Sequence, residues 1–158
     1  MTITGGKWTT YRKMAEDTVD QAAVIAQLDE RPCATQDLNI HGYHRNARQF
    51  GDLAVYGSDA MAIREINRND PVCAERLHGR LTPTVGEVVW AVKHEMARTV
   101  EDFLSRRTRS LLLDARASIE MAPRVAEVMA TELGYDADWQ AAQVSAYTEL
   151  ARKYLMVP

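Results

Sequence analysis

Apolar residues recur at helical spacing along most of the chain, and this periodicity predicts an all-α fold. One helix is predicted from Thr10 to about Leu28, where apolar side chains return every three or four residues. Two short helices follow, one capped by Ser58 and one beginning at Pro71. After Thr84 the clearest apolar stripe of the chain predicts another helix, with members at Val85, Val88, Val89, Val92 and Met96.

The C-terminal half is also predicted to be helical. Thr99 is expected to cap a short helix, and a longer helical stretch should run on to Gly134, a typical C-terminal stop. Pro123 is expected to kink or interrupt that stretch. Asp136 or Asp138 should cap the last helix, whose predicted inward face consists of Trp139, Val144, Tyr147, Leu150 and Tyr154.

The pattern divides the chain into three parts. Residues 1–30 read as a turn and a helix, residues 31–51 as a linker with scattered polar residues, and residues 52–158 as a compact helical domain. The opening "MTITGG" is typical of the end of a strand, and a strand followed by a turn and a helix requires partner strands. We therefore expect the chain to be cut from a larger protein.

The composition of the chain limits which classes of protein it can belong to. The chain has 158 residues, 46% hydrophobic and 26% charged, which is enough for one core. Its net charge of −3 does not suggest general affinity for nucleic acid or an anionic membrane, so any basic site must be local. No stretch approaches the ~20 apolar residues of a membrane span, which predicts a soluble chain. Cys33 and Cys73 lack metal-ligand spacing and are expected to be free thiols.

The stretch "GGKWTTYR" is the main candidate for chemistry. It fits neither a P-loop nor a dinucleotide-binding glycine motif. It does place two glycines and a lysine before a helix, with backbone N–H groups expected to be free at roughly Trp8 to Tyr11. Those groups and the helix dipole suit an anion or an electron-rich ring. An ordinary capped helix after a tight turn remains the alternative.

Two other polar clusters favour structural interpretations. His41 and His44 lack a third nearby ligand, so a solvated loop is expected there and no metal site. Arg106, Arg107 and Arg109 could bind a phosphate, but acidic residues lie on neighbouring turns. Internal pairing is therefore favoured, with Glu101, Asp102 and Asp114 as the partners.

Two blocks of the sequence resemble one known family. "TGGKWTTYRKMAEDTVD" is similar to the signature that closes the flavin domain of the FAD-dependent glycerol-3-phosphate dehydrogenases and oxidases. "GEVVWAVKHEMARTVEDFLSRRTRSLLLDARASIEMAPRVAEVMATELG" resembles the helical C-terminal domain of the same family. That family motif is matched at Glu95, Ala97, Thr99, Asp102, Leu104, Arg106, Arg107 and Arg109. Because the blocks occur in the family's order, the chain is identified as a member.

The resemblance implies an activity and a cofactor site. The family oxidises sn-glycerol 3-phosphate to dihydroxyacetone phosphate, with hydride passing to FAD and electrons to a quinone or, in the oxidases, to oxygen. It implies that the opening turn lies beside the flavin ring, and Lys7 is also a candidate substrate contact. The implied cofactor-binding residues are Gly5, Gly6, Lys7, Trp8 and Thr9; no catalytic residue is secure.

The resemblance also implies what this chain lacks. The family's glycine-rich FAD-binding unit would precede residue 1, so we expect a C-terminal fragment that binds no FAD and is inactive alone. Residues 1–30 would be the tail of the flavin domain. The implied partners are that domain, glycerol 3-phosphate and quinone, with no nucleic acid and a homo-oligomer as an option. The full-length enzyme is expected to be cytoplasmic and peripheral on the inner membrane.

A second function class stays open. The chain could be an independent helical module for protein–protein interaction. In that case the stripe from Val85 to Met96 would form an exposed groove for a partner helix and would not belong to the core.

Overall fold

The computed structural model describes residues 2–29 and 31–155, so the predicted boundaries at residues 1, 30 and 158 lie outside the described residues. The described residues are mainly helical and contain no β-strand, only one isolated bridge between Arg76 and Thr84. The all-α fold class is confirmed. Two compact units are present, residues 1–43 and residues 44–158. This division falls inside the predicted linker, while the three-part domain assignment stays a prediction.

The first unit is built on one helix, α1 (Tyr11–Ile25). Its polar face carries a ladder of ion pairs, in which Glu16 accepts from Arg12 at 2.6 Å and from Lys13 at 3.1 Å. Ion pairs between exposed side chains contribute little to stability, because water and salt screen them. No residue of α1 is buried. The helix is therefore held mainly by local contacts.

The second unit begins with tighter helical turns. A 3₁₀ segment (Ala47–Asp59) leads into α2 (Ala60–Asn69), and a short 3₁₀ turn (Pro71–Ala74) follows. The 3₁₀ segment is kinked where its two glycines have positive φ. The residue before α2 is Asp59, so the expectation that Ser58 caps this helix is wrong. The 3₁₀ segment and α2, together with Trp90 from the helix that follows, form a small core of Phe50, Leu53, Ala60, Ile63 and Trp90.

Helix α3 (Val85–His94) passes through the centre of the second unit. Its first turn is closed by a capping box, in which Thr84 and Glu87 each bond the other's backbone N–H. Every residue from Val85 to Val92 is buried. The valines are therefore core, and the alternative interpretation of this stripe as an exposed partner groove is wrong. Its last member, Met96, is the exception and is 76% exposed.

The next helices differ in detail from the prediction. Thr99 caps the following turn as expected, accepting from the Asp102 N–H at 3.1 Å, but that turn continues as a π-helix (Asp102–Arg107). Helices α4 (Ser110–Leu113) and α5 (Ala115–Leu133) come next. The predicted helical stretch is interrupted at Asp114, whose side chain caps α5. It is not interrupted at Pro123, which lies inside α5.

The last helix, α6 (Ala137–Arg152), packs against α5. Gly134 ends α5 with φ 73°, and Asp136 caps α6 by accepting from the Trp139 N–H at 2.9 Å, both as predicted. In the buried seam the Tyr147 hydroxyl donates to Ser118 Oγ at 2.9 Å. Tyr154, predicted to face inward, is instead 51% exposed.

Candidate functional site

The glycine-lysine turn before α1 is closed by a threonine. Gly5 and Gly6 have φ of 80° and 101°, a region that glycine adopts without strain. Lys7 N–H donates to Thr10 Oγ1 at 3.2 Å, and the Thr10 hydroxyl donates back to the Lys7 carbonyl at 3.1 Å. The Thr10 N–H also donates to that carbonyl at 2.9 Å. Thr10 therefore fixes the conformation of the turn.

This geometry corrects part of the predicted anion site. Backbone N–H groups were expected to be free from Trp8 to Tyr11, but the Thr10 N–H is used inside the turn. The Thr10 side chain does not cap the first turn of α1, and the first N–H groups of a helix have no partners within the helix. Within the described residues the N–H groups of Trp8, Thr9 and Tyr11 are not engaged, so the predicted range of donors is interrupted only at Thr10. The role of Thr10 was missed, although a threonine three residues after the lysine is the signal of such a turn.

The two glycines have different surroundings. A Cβ at Gly6 would lie 2.3 Å from Met14 Sδ, so the thioether covers this residue. A Cβ at Gly5 would meet no atom within 4 Å. The flexible end of Met14 could move away from a side chain at Gly6, so the positive φ is the main reason for glycine there, whereas Gly5 leaves open space beside the turn.

An open groove of about 550 Å³ runs from this turn along α1. Its lining includes four of the predicted cofactor contacts, Gly5, Gly6, Lys7 and Trp8. Trp8 is 85% exposed and stacks on Tyr11 with ring centroids 5.1 Å apart. Thr9 is exposed but does not line the groove. Among the described residues Lys7 has no ion-pair partner, so the site offers one ammonium, helix amides and an aromatic pair.

Much of the first unit's apolar surface is exposed. A second groove of about 650 Å³ lies between α1 and residues 31–40. Several large apolar side chains of this unit are at least half exposed: Ile3, Trp8, Tyr11, Val19, Val24, Ile25, Leu28, Leu38, Ile40 and Tyr43. Apolar side chains exposed in this number are common on surfaces that contact further protein.

The arginine cluster of the second unit is mostly paired internally. Arg106 contacts Glu101 at 2.6 Å and Asp102 at 2.9 Å, as predicted. Arg107 donates to the backbone carbonyl of Glu95 at 2.6 Å. The predicted pairing with Asp114 is wrong, because Asp114 lies 3.3 Å from Arg80. Within the described residues Arg109 has no acidic partner.

A buried carboxylate occupies the start of α3. Glu87 is 5% exposed and accepts from the Tyr56 hydroxyl at 3.0 Å and from the Thr84 N–H at 2.8 Å. Burial raises the pKa of the Glu87 carboxyl, and the hydrogen bonds from Thr84 and Tyr56 oppose that rise. Burial, followed by the nearby Glu87 charge, raises the pKa of Tyr56. Since the capping box accounts for Glu87, this cluster is structural.

The histidine and cysteine positions do not form a metal centre within the part of the chain that the structure describes. His44 accepts from the Asn46 N–H at 3.1 Å and packs edge-on against Phe50. Cys33 and Cys73 are both free thiols, as predicted. Burial raises the pKa of the Cys73 thiol. None of the helices described is both long and apolar enough to cross a bilayer.

Comparison with known proteins gives consistent matches. The family described as the C-terminal domain of alpha-glycerophosphate oxidase matches residues 1–140. The chain is 36% identical to the mitochondrial glycerol-3-phosphate dehydrogenase of Mesocricetus auratus, with 98% of this chain and 23% of that protein aligned. The probable mitochondrial glycerol-3-phosphate dehydrogenase of Caenorhabditis elegans is 34% identical over 98% of this chain and 24% of its own length. No solved structure matches significantly.

Proposed function

Because the chain belongs to the family of the C-terminal domain of alpha-glycerophosphate oxidase, we propose that it is the C-terminal part of an FAD-dependent glycerol-3-phosphate dehydrogenase. The supporting observation is the alignment of 98% of the chain with relatives that carry this name. The chain spans about a quarter of the length of those relatives. The whole protein would oxidise sn-glycerol 3-phosphate to dihydroxyacetone phosphate and pass electrons to a quinone.

The two units have different tasks in this proposal. Residues 1–30 form the tail of a flavin domain, residues 31–51 the connection, and residues 52–158 an appended helical domain. The exposed apolar face of the first unit supports this division, because such a face is suited to a contact with further protein. The second unit has its own core, which an appended domain requires.

The proposed flavin contacts are Gly5, Gly6, Lys7, Trp8 and Thr9. The open space beside Gly5 permits close approach of a planar ring. The ammonium of Lys7 is exposed and, among the described residues, not engaged in an ion pair. These features fit a flavin, which when bound supplies the two-electron chemistry. The task of this chain's residues is to hold the ring edge and to place one positive charge beside it.

Thr10 and Met14 keep this turn in place. Thr10 ties the lysine backbone at both its N–H and its carbonyl, and Met14 covers Gly6. A turn held in this way positions Lys7 before a ligand arrives, so little ordering is needed on binding. We therefore assign Thr10 and Met14 as positioning residues, with no contact to substrate required.

The whole protein is proposed to be cytoplasmic and a peripheral protein of the inner membrane. The curated relatives named above are mitochondrial enzymes. A homo-oligomer remains compatible with the proposal.

The test is to express the protein encoded by the full reading frame that contains this chain. We expect it to purify with FAD and to reduce a dye when glycerol 3-phosphate is added. The 158-residue chain alone is the matched control and should retain no flavin and show no turnover. A full-length protein without flavin or without glycerol 3-phosphate oxidation would overturn the proposed function.

A further inference from the structure

One loop of the second unit, residues 75–84, connects the short 3₁₀ turn to α3, and we call it the strap. Its base is closed by the backbone, where the Leu77 N–H donates to the Pro83 carbonyl at 3.0 Å. Near its tip, Leu81 is 8% exposed and belongs to the main core of the unit. The strap is therefore fixed at its base and at Leu81, and the residues between them depend on side-chain contacts.

The tip of the strap carries His78, which uses both ring nitrogens. The Arg80 N–H donates to His78 Nδ1 at 3.1 Å, and His78 Nε2 lies 2.7 Å from Glu120 Oε2 on α5. Because a backbone N–H can only donate, Nδ1 must accept, and the ring proton is assigned to Nε2, which donates to the carboxylate. The hydrogen bonds therefore fit the neutral ring in one of its two tautomers.

The charged groups at this ring come from α5, from its cap and from the strap itself. Glu120 lies on α5, Asp114 caps α5, and Arg80 Nε lies 3.3 Å from Asp114 Oδ2. The hydrogen bond from the Ala117 N–H lowers the pKa of Asp114, and the charges of Arg80 and of a protonated His78 lower it further. Two carboxylates are thus available to a protonated ring, whereas the Arg80 N–H leaves no room for a proton on Nδ1.

We propose that His78 is an acid-sensitive latch, which holds the tip of the strap while the ring is neutral and releases it when the ring is protonated. A proton taken from solvent onto Nδ1 removes the acceptor of the Arg80 N–H. The imidazolium keeps Glu120 at Nε2 and donates its new N–H to the Asp114 carboxylate, in place of the Arg80 guanidinium. Residues 78–80 then leave their turn. Imidazole changes charge between about pH 5 and 8, which sets the range of the switch.

The release is limited to a few residues. The base keeps its backbone bond, and Leu81 is anchored in the core. Exposed ion pairs such as Arg80 with Asp114 contribute little to stability, so an exchange of partners changes the conformation of the strap more than the stability of the unit. Every residue involved lies in the second unit, and neither flavin nor substrate takes part. The inference therefore stands apart from the proposed function, and either can fail without the other.

The test is NMR and amide hydrogen exchange on the 158-residue chain between about pH 8 and 5. At the upper end, the ring ¹⁵N shifts of His78 should show a neutral ring with its proton on Nε2. On acidification the protection of the Arg80 amide, relative to an unstructured chain, should fall about three- to tenfold, as expected for one lost hydrogen bond. Amides in the buried part of α3 should keep their protection, because the release is confined to the tip.

Two variants separate the two sides of the latch. The carboxamide oxygen of H78N can accept the Arg80 N–H, as asparagine does in turns, but it does not titrate in this range. H78N should therefore keep the protection of Arg80 constant. E120Q keeps an acceptor for Nε2–H and removes one charge that holds the protonated ring, so the protection of Arg80 should fall only at a lower pH.

Two matched controls change similar residues elsewhere in the second unit. His44 Nδ1 accepts the Asn46 N–H at 3.1 Å, so H44N replaces a histidine in the same kind of turn. E127Q removes another exposed carboxylate of α5. Both should respond to pH at Arg80 as the unchanged chain does.

Several results would overturn the proposal. One is a ring proton on Nδ1 at neutral pH, and another is protection of Arg80 that does not change with pH. Equal falls in H78N and H44N, or equal responses of E120Q and E127Q, would also contradict it. Loss of protection in α3 together with Arg80 would show that acid unfolds the whole unit and that no local latch exists.

Discussion

Helices α1 and α5 are both amphipathic, yet they lie in opposite environments. α1 (Tyr11–Ile25) contains no buried residue, whereas nearly half of α5 (Ala115–Leu133) is buried within its own unit. The periodicity of apolar residues shows that one face of a helix will be buried against other protein. It does not show which part of the protein buries that face. α5 is covered by α3 and α6. For α1 we propose that the cover is supplied by the flavin domain.

Amide hydrogen exchange should show the largest contrast between the units. Amides from Val85 to Met96 open only with the unfolding of a buried core, whereas those from Lys7 to Val19 can open locally. With a stability of ~5–15 kcal/mol for a small domain, protection should differ by a factor on the order of 10³ or more. Equal protection of the two segments would contradict the comparison.

Replacing one aromatic residue by alanine in each unit should lower the free energy of unfolding by very different amounts. Phe103 is fully buried, so Phe103→Ala should lower the free energy of unfolding by about 3–5 kcal/mol. Trp8 is mostly exposed, so Trp8→Ala in the same chain should change it by less than about 0.5 kcal/mol. Urea denaturation measures both. A large loss for Trp8→Ala would mean that the first unit has a core of its own.

Lys7→Met in the full-length, flavin-containing protein tests the proposed site directly. Loss of one positioned charged donor typically costs about 2.7–4 kcal/mol in the transition state, or on the order of 10²–10³ in kcat. Folding should barely change, because Lys7 is exposed. A rise in KM with little change in kcat would instead place Lys7 on the substrate phosphate. If kcat, KM and flavin potential all stay unchanged, the assignment of Lys7 is wrong.

Gly86→Ala should destabilise the second unit by about 1–3 kcal/mol. A Cβ at this position would lie 1.9 Å from Asn67 Oδ1 and 3.2 Å from the backbone carbonyl of Cys73. Gly79→Ala is the matched control, because a Cβ there meets no atom within 4 Å. Thermal unfolding of the two variants measures the difference. Equal melting temperatures would show that α3 can shift without cost.

Glu87→Gln should change how the free energy of unfolding depends on pH. We expect this effect to be the smallest of the five. Below the ordinary carboxyl pKa of 4.5, Glu87 is protonated in both the folded and the unfolded state. As pH rises, the unfolded chain loses this proton first, because burial raises the folded pKa. The unchanged chain should therefore lose stability relative to Glu87→Gln as pH rises above 4.5 through the folded pKa. Denaturation curves at a series of pH values test this, and a difference that grows in the opposite direction would refute the buried-carboxyl interpretation.

The helix ends that depend on local chemistry were predictable from the sequence. Thr84, Gly134 and Asp136 each act through a side chain or backbone angle that neighbouring residues alone specify. The break at Asp114 was missed because its signal, an aspartate able to cap the next helix, was outweighed by Pro123. A proline inside a helix removes one N–H donor and its ring crowds the carbonyl four residues earlier, yet α5 continues through Pro123.

The position of the turn before α1 was predictable from its residues, but the hydrogen bonds that close it were not. The two glycines and Lys7 identified the turn, yet the closing bonds to Thr10 depend on side-chain rotamers that a residue pattern does not specify.

The hydrogen bond between Tyr147 and Ser118 has a consequence during synthesis on the ribosome. The second unit's main core includes Tyr147 and Ala151, which α6 contributes. A nascent chain can therefore form α3 and α5 but cannot complete this core until residue 151 has left the exit tunnel. We expect the unit to fold quickly once that residue emerges, since α5 and α6 are neighbours in sequence and their pairing requires only a short loop to close.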